Sequence, residues 1–177
     1  TKIQDNLVND GVLTLPVPGA TNSLAANKAL VIDTEAPIAG TVSDGSGTDV
    51  TYSSSRTSVT ANWTGFSDAL SGIASYEIAV GTTSGATNVL SWTSAGDVTT
   101  YTKSDLSLTH ATRYYVSTRA LDAAGNYSAA ATANGVIIDV VAPSSTVSID
   151  STTYNASEWD AATAITGTAA DTNSGLS

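Results

Sequence analysis

Two copies of one short phrase, 106 residues apart, constrain this chain more than any other feature of its sequence. Residues 30–37 read Leu-Val-Ile-Asp-Thr-Glu-Ala-Pro, and residues 136–143 read Val-Ile-Ile-Asp-Val-Val-Ala-Pro. Each is an apolar, β-branched run that ends in Asp-x-x-Ala-Pro. Such a run is typical of the last strand of a sheet, and the proline marks where the chain leaves that sheet because it cannot donate to a ladder. A join repeated in this way indicates a tandem array of domains.

The two joins divide the chain into three predicted parts. Residues 34–142 form a unit of about 100 residues, which is enough to bury a core and fold alone. Residues 1–33 and 143–177 are too short for this, so we predict that each is a part of a neighbouring module. Either the parent chain continues beyond both flanks, or a second copy supplies the missing strands by donor-strand pairing.

The central part predicts an all-β sandwich with seven strands. Apolar residues alternate with polar ones in short segments, and Gly, Asn, Asp and Ser separate the segments. Val59, Ala61 and Trp63 thus share one face of a strand, and Tyr76, Ile78 and Val80 do the same in the next. In a later strand, we expect one set of side chains to face inward, namely Tyr114, Val116, Thr118 and Ala120, and a second set to face solvent, namely Arg113, Tyr115, Ser117 and Arg119.

Three features of the central part carry a family resemblance. Trp63 in the second strand, Leu108 six residues before Tyr114, and the run Tyr-Tyr-Val-Ser-Thr-Arg-Ala at 114–120 resemble the fibronectin type III pattern. The resemblance implies that the tryptophan lies in the core and that Tyr114 makes the corner hydrogen bond of that fold. It spans about residues 34–142.

The flanks resemble a different module. Residues 1–33 are similar to the closing strands of a bacterial Ig-like repeat, and the stretch from Ile165 to Leu176 is similar to the opening strands of another. Arrays of this kind are found in large mosaic bacterial surface proteins and adhesins. The expected partners of the central domain are therefore the neighbouring Ig-like modules of the same chain.

Composition narrows the class of function further. The chain has 16 acidic and 6 basic residues, for a formal net charge of −10. Such a surface repels nucleic acid and anionic lipid, which both require clustered Lys and Arg. Cysteine is absent, so the sequence predicts no disulfide and no thiol chemistry. This favours a bacterial exoprotein over a eukaryotic secreted protein, although a cytosolic protein would look the same by this test. We also expect no membrane span, because no apolar run approaches about 18 residues.

The sequence predicts that the chain is not an enzyme. Its single histidine, His110, lies in a predicted turn, and no Gly-x-Ser-x-Gly elbow is present. The acidic residues fall in turns and joins, where they do not form the facing pair that glycoside hydrolysis needs.

Calcium is the one cofactor that the sequence suggests. Hard cations take several oxygen ligands, and acids clustered at a domain join can supply them and stiffen the join. The alternative is that these acids only form turns and keep the chain soluble. The resemblance to the Ig-like arrays of large adhesins implies that calcium binds between modules. The candidate ligands are Asp33, Glu35 and Asp44 around the first join and Asp139 and Asp171 around the second, with Asp68 and Asp122 in loops that approach one end of the sandwich.

These observations favour a non-catalytic stalk or adhesion module of a bacterial cell-surface or secreted protein, with an extracellular location. Three alternatives stay open: a glycan-binding module, a self-assembling filament subunit, or a spacer attached to a secreted hydrolase. A solvent-exposed aromatic pair that includes Trp92 or Trp159 would favour glycan binding. Asn62, Asn126 and Asn155 match the N-glycosylation pattern, but such matches are expected in a chain rich in Ser and Thr.

Overall fold

The computed structural model describes residues 17, 19–21, 23, 26, 31–148 and 166–175. The chain divides into two compact units, residues 1–34 and 35–177. In the first unit, the hydroxyl of Ser23 is buried and accepts the backbone N–H groups of Gly19 and Ala26, each at 3.1 Å. These contacts hold a tight local turn. The strands predicted for residues 1–16 lie outside the described residues.

The second unit contains all eleven strands found among the described residues. Nine of them, β1 to β9, belong to the central part, where the sequence predicts seven; the difference is the two strands of two residues each, β2 and β8. The bounds are β1 Thr41–Asp44, β2 Tyr52–Ser53, β3 Val59–Thr64, β4 Ile73–Gly81, β5 Leu90–Gly96, β6 Thr100–Lys103, β7 Arg113–Asp122, β8 Ala131–Thr132, β9 Val136–Ile138, β10 Ser144–Ser148 and β11 Thr166–Ala170.

These strands form two packed sheets and a separate ribbon. One sheet has the order β1-β3-β6, with antiparallel pairs. The other has the order β2-β9-β7-β4-β5, with β8 paired to one edge of β7. Only β2 and β9 are parallel. The ribbon consists of β10 and β11, which follow Pro143 at the second join.

The predicted alternation produces the core. Val59, Ala61 and Trp63 are buried on β3, while the residues between them are partly exposed. Trp63 retains only 3% of its surface, and its ring packs against Tyr76 of β4 with ring centroids 5.4 Å apart. Large apolar side chains from the larger sheet and from the loop before β7 complete the core, namely Ile78, Val80, Leu108, Tyr114, Val116, Val136 and Ile138.

Tyr114 makes the corner contact that the resemblance implies. Its hydroxyl oxygen accepts the backbone N–H of Thr109 at 2.9 Å, five residues upstream. The ring is buried at the start of β7, and Leu108 is buried beside the same turn. Together with the two sheets and the buried tryptophan, this contact makes the central part a fibronectin type III or Ig-like β-sandwich.

One predicted surface position is buried. Ser117 alternates outward on β7, yet it retains none of its surface. The reason is β8, which pairs with β7 at this point and places the Thr132 hydroxyl 2.8 Å from the Ser117 hydroxyl. Alternation assigns a side chain to a face of the sheet but does not show which side chains of the adjacent strands will cover it there.

The chain comes into the sandwich beside the last residues of β7. Ile38 forms a bridge with Ser67, in the loop between β3 and β4. Gly72 of the same loop accepts the N–H of Ala123, directly after β7, at 3.1 Å. We call this the upstream end of the sandwich.

The chain leaves the sandwich beside the first residues of β7. Ile138, the last residue of β9, donates to the carbonyl of Thr112 and accepts the N–H of Ala111. We call this the downstream end. β7 has 10 residues and connects the two ends. At a rise of about 3.3 Å per residue, the ends lie about 33 Å apart.

Candidate functional site

The predicted ligand Glu35 lies at the upstream end. Its side chain is exposed and lines an open groove of about 340 Å³ that also includes Asp68. Ser67 and four apolar side chains line the rest of this groove, and two of the apolar ones, Ile38 and Leu70, are 70% and 58% exposed. Asp33, the other ligand predicted for this join, belongs to the first unit and is half-buried.

Two carboxylates meet at the upstream end, one in the loop between β3 and β4 and one on the last residue of β7. Oδ1 of Asp68 accepts the N–H groups of Leu70, Ser71 and Gly72 at 2.8 to 3.1 Å, which shapes the loop between β3 and β4. Oxygens of Asp68 and Asp122 lie within 4.8 Å of each other. This pair sits where the sequence places loop acids near one end of the sandwich.

Asp122 is held in its charged form by its own loop. Oδ1 accepts the N–H groups of Ala124 and Asn126, and Oδ2 accepts the Asn126 side-chain amide at 2.8 Å. Burial favours the neutral acid, but these hydrogen bonds outweigh it and hold the pKa of Asp122 below its usual value. The Asp-Ala-Ala-Gly-Asn segment is therefore a turn held by its own buried carboxylate.

Asp139 lies at the downstream end, on the residue after β9. It is buried, its Oδ1 accepts the N–H of Val141 at 3.0 Å, and its Oδ2 has no hydrogen-bond partner among the described residues. His110 Nδ1 lies 3.7 Å from Oδ1 and accepts the N–H of Val140. The other ring nitrogen of His110 lies 3.2 Å from the Asn173 amide nitrogen, in the loop that follows the ribbon. His110 lies in a turn, as the sequence predicts, but it is partly buried and its ring connects the join to this loop.

Asp171 uses one carboxylate oxygen to close its own loop. Oδ1 accepts the N–H groups of Asn173, Ser174 and Gly175. The N–H of Asn173 is the main cause that holds the pKa of Asp171 below its usual value, and the other two N–H groups add to it. This is the arrangement expected of an acidic turn residue.

Asp44 lies inside the sandwich, at the end of β1. It retains none of its surface, and its Oδ2 accepts the N–H of Gly135 at 2.8 Å. Calcium takes six to eight oxygens, whereas this site offers one enclosed oxygen without a partner among the described residues. We therefore treat Asp44 as a structural acid.

The structure thus places the four predicted ligands of the second unit at three separate positions, with Glu35 upstream, Asp44 inside the sandwich, and Asp139 and Asp171 downstream. Within residues 35–148 and 166–175, no three His, Asp or Glu side chains bring their ligand atoms within 4.8 Å of one another. Glu35 lies at the upstream end with Asp68 and Asp122. Asp139 and Asp171 lie at the downstream end, near His110. The calcium prediction for the joins stays a prediction.

A stacked cluster covers part of the outer face of the larger sheet. The Arg119 guanidinium lies 4.5 Å from the centre of the Trp92 ring and 4.0 Å from that of Tyr127. Its Nε and Nη2 both donate to Oε2 of Glu77, at 2.9 and 2.6 Å, from the directly opposite position on β4. Tyr127, which is 41% exposed, donates its hydroxyl to Oε1 of the same carboxylate.

This cluster bears on the glycan-binding alternative. A sugar binds an aromatic residue by stacking on its face, but the guanidinium of Arg119 already occupies one face of Trp92 and one of Tyr127. Trp159 lies outside the described residues. The sequence expectation that Arg119 only marks a solvated face is therefore incomplete, because the partners of Arg119 come from other strands and cannot be read from β7.

Two of the three glycosylation-like asparagines use their amide nitrogens in the fold. Nδ2 of Asn62 donates to the carbonyls of Gly45 and Gly47. Nδ2 of Asn126 donates to Asp122 at 2.8 Å. Asn155 lies outside the described residues. The two described asparagines therefore serve to fix loops.

No protein family matches this sequence, and no curated protein matches it. Among solved structures, the chain is similar to a crystal structure of titin domains, with 25% sequence identity and a TM-score of 0.39. The match covers 59% of this chain and 32% of that chain, so it spans about a third of the titin structure. Within the described residues, no helix is long and apolar enough to cross a membrane.

Proposed function

We propose that this chain is a non-catalytic spacer, working as a stalk or adhesion segment of a multidomain bacterial surface or secreted protein. The observation that carries the proposal is the position of the two joins. The chain comes in at the upstream end, beside Ala123, and leaves at the downstream end, beside Thr112, about 33 Å away. A domain with its joins at opposite ends extends an array by its own length.

The strand arrangement suits a domain under tension. β2 follows β1 from the upstream join, and the chain leaves downstream through β9. These two strands are parallel, and they are joined by hydrogen bonds from Ile137 to Thr51 and from Asp139 to Ser53, each at 2.8 Å. Tension on the two joins slides β2 along β9, so these hydrogen bonds carry the load together.

The surface charge fits the same role. A net charge of −10 makes neighbouring chains repel one another, which keeps a crowded extracellular array soluble and separate. The proposal places the chain outside the cell, with adjacent Ig-like modules as its direct partners.

Single-molecule pulling tests this proposal. The full chain is tethered at its two ends and stretched in chelator. We expect one cooperative unfolding event that lengthens the tether by about 300 Å, since about 100 residues extend at about 3.4 Å each from a folded span of about 33 Å. Val116→Ala, which leaves a hole in the core, should lower the unfolding force without changing this length. Gradual extension with no event would contradict a load-bearing role.

The filament alternative keeps one supporting observation. All ten residues of β10 and β11 are exposed, and a two-stranded ribbon is marginal in water without further contacts. Sedimentation of the chain over a wide concentration range separates the two functions, because a filament subunit forms growing assemblies and a spacer does not.

A further inference from the structure

Asp44 is a buried carboxylate that connects the first strand of the sandwich to the last. It ends β1, and its Oδ2 accepts the N–H of Gly135, the residue before β9, across 91 positions of sequence. Its Oδ1 is enclosed and has no partner among the described residues. The cost of this burial therefore depends on whether the carboxyl group is charged.

A second acid strengthens the same connection. Oδ1 of Asp49 accepts the backbone N–H of Asp44 at 3.0 Å, and its Oδ2 accepts the side-chain amide of Asn134 at 2.8 Å. The segment before β9 is thus held by two neighbouring carboxylates. Asp49 disfavours the charged form of Asp44, because like charges repel.

The nearby cation does not pair with Asp44. Nη1 of Arg113, on β7, donates to the carbonyl oxygens of Asn134 and Gly135. Arg113 and Asp49 are the charged groups that act on Asp44. A charged Asp44 therefore receives one direct hydrogen bond, from the Gly135 N–H, and is repelled by Asp49. Arg113 is nearby, but its guanidinium donates to backbone carbonyls.

We propose that Asp44 is a pH-sensitive fastening between β1 and β9, which tightens when its carboxyl group is neutral and loosens when it is charged. The fastening joins the strand by which the chain comes in to the strand by which it leaves. It rests on the fold alone and holds whether or not the chain is a spacer.

The balance of interactions supports this direction. Burial is the largest cause and raises the pKa of Asp44 to about 6, with Asp49 adding to it, while the Gly135 N–H and Arg113 act the other way. Because this pKa lies above the ordinary value of 3.8 that an aspartate has in the unfolded chain, the folded state binds the proton more tightly. The stabilising contribution is present below about pH 4 and is lost as pH rises through 6.

Urea unfolding of the full chain between pH 5 and pH 7 tests the fastening. The folding equilibrium constant of the unmodified chain should contain a contribution that falls about tenfold over this range. Asp44→Asn should remove that contribution, whereas Asp105→Asn, on an exposed loop, should retain it. His110→Gln should also retain it, which excludes the single histidine as its source.

A direct titration covers the case in which Asp44→Asn does not fold. The side-chain carboxyl carbon of Asp44 is followed by NMR in the unmodified chain, together with hydrogen exchange at the Gly135 amide. The proposal expects the Asp44 titration to have its midpoint near pH 6. After correction for the intrinsic pH dependence of exchange, the Gly135 amide should exchange faster above that pH. A midpoint below 4.5, or equal pH profiles for the unmodified chain and Asp44→Asn, would overturn it.

Discussion

At the scale of single residues, sequence reasoning succeeds where a side chain's environment depends on its own strand. Trp63 and Tyr114 are buried as alternation and the family resemblance predict, because each sits in a regular strand with one apolar face. Arg119 is different. Its partners Trp92 and Glu77 lie on β5 and β4, so its role depends on the register between strands. Composition and periodicity do not show which residues of neighbouring strands lie opposite each other.

A double-mutant cycle measures the Arg119 stack. We expect Trp92→Ala and Arg119→Ala to be coupled by about 1 kcal/mol in the free energy of unfolding, because the guanidinium lies over the ring and is partly shielded from water. The control pairs Arg119→Ala with Tyr101→Ala, on β6 of the other sheet, and should show no coupling. Equal coupling in the two cycles would show that the stack contributes nothing specific.

At the scale of elements, the loops hold what the sequence left unassigned. The sequence identifies Asp68 and Asp122 as loop acids but not their closeness, which depends on how the loops after β3 and β7 pack together. Asp44 is the clearest case. Its burial depends on the segment before β9, which comes back beside it 91 residues later, and such long-range contacts leave no local pattern in sequence.

Gly135 is the critical residue of that returning segment. It has φ of +92°, and a Cβ at this position would lie 2.9 Å from the Tyr115 ring and 3.0 Å from Cγ of Arg113. Gly135→Ala should therefore lower the free energy of unfolding by about 2–4 kcal/mol through backbone strain and crowding together. Gly85→Ala is the matched control, with φ of +77° and no atom within 4 Å of its Cβ, and should cost only about 1 kcal/mol. Urea unfolding checks both, and equal losses would show that the space around Gly135 is unimportant.

At the scale of the whole molecule, the central claim is that the sandwich separates its two joins. The repeated Asp-x-x-Ala-Pro phrase predicts that the central part is a domain in a series. It does not predict the distance between the joins, because that depends on the order of strands in both sheets. The structure supplies this order and places the joins at opposite ends of β7.

Calcium at the joins is tested by thermal unfolding in excess chelator and in millimolar calcium. A cation that binds only the folded chain raises the midpoint by mass action, and we expect an increase of several degrees. Asp33→Ala together with Asp139→Ala should abolish the increase, while Asp105→Ala should retain it. An unchanged midpoint in calcium would show that the joins do not bind calcium, and the spacer proposal would then stand without a metal.

The most direct measurement is the distance between the two joins in solution. The chain has no cysteine, so spin labels attach only at introduced sites. Labels at Ala36→Cys and Val140→Cys, both exposed, should be about 30–40 Å apart. Labels at Ala36→Cys and Leu70→Cys, which line the same upstream groove, should be less than about 20 Å apart. A distance between Ala36 and Val140 as short as that of the control pair would place both joins at one end and contradict the spacer.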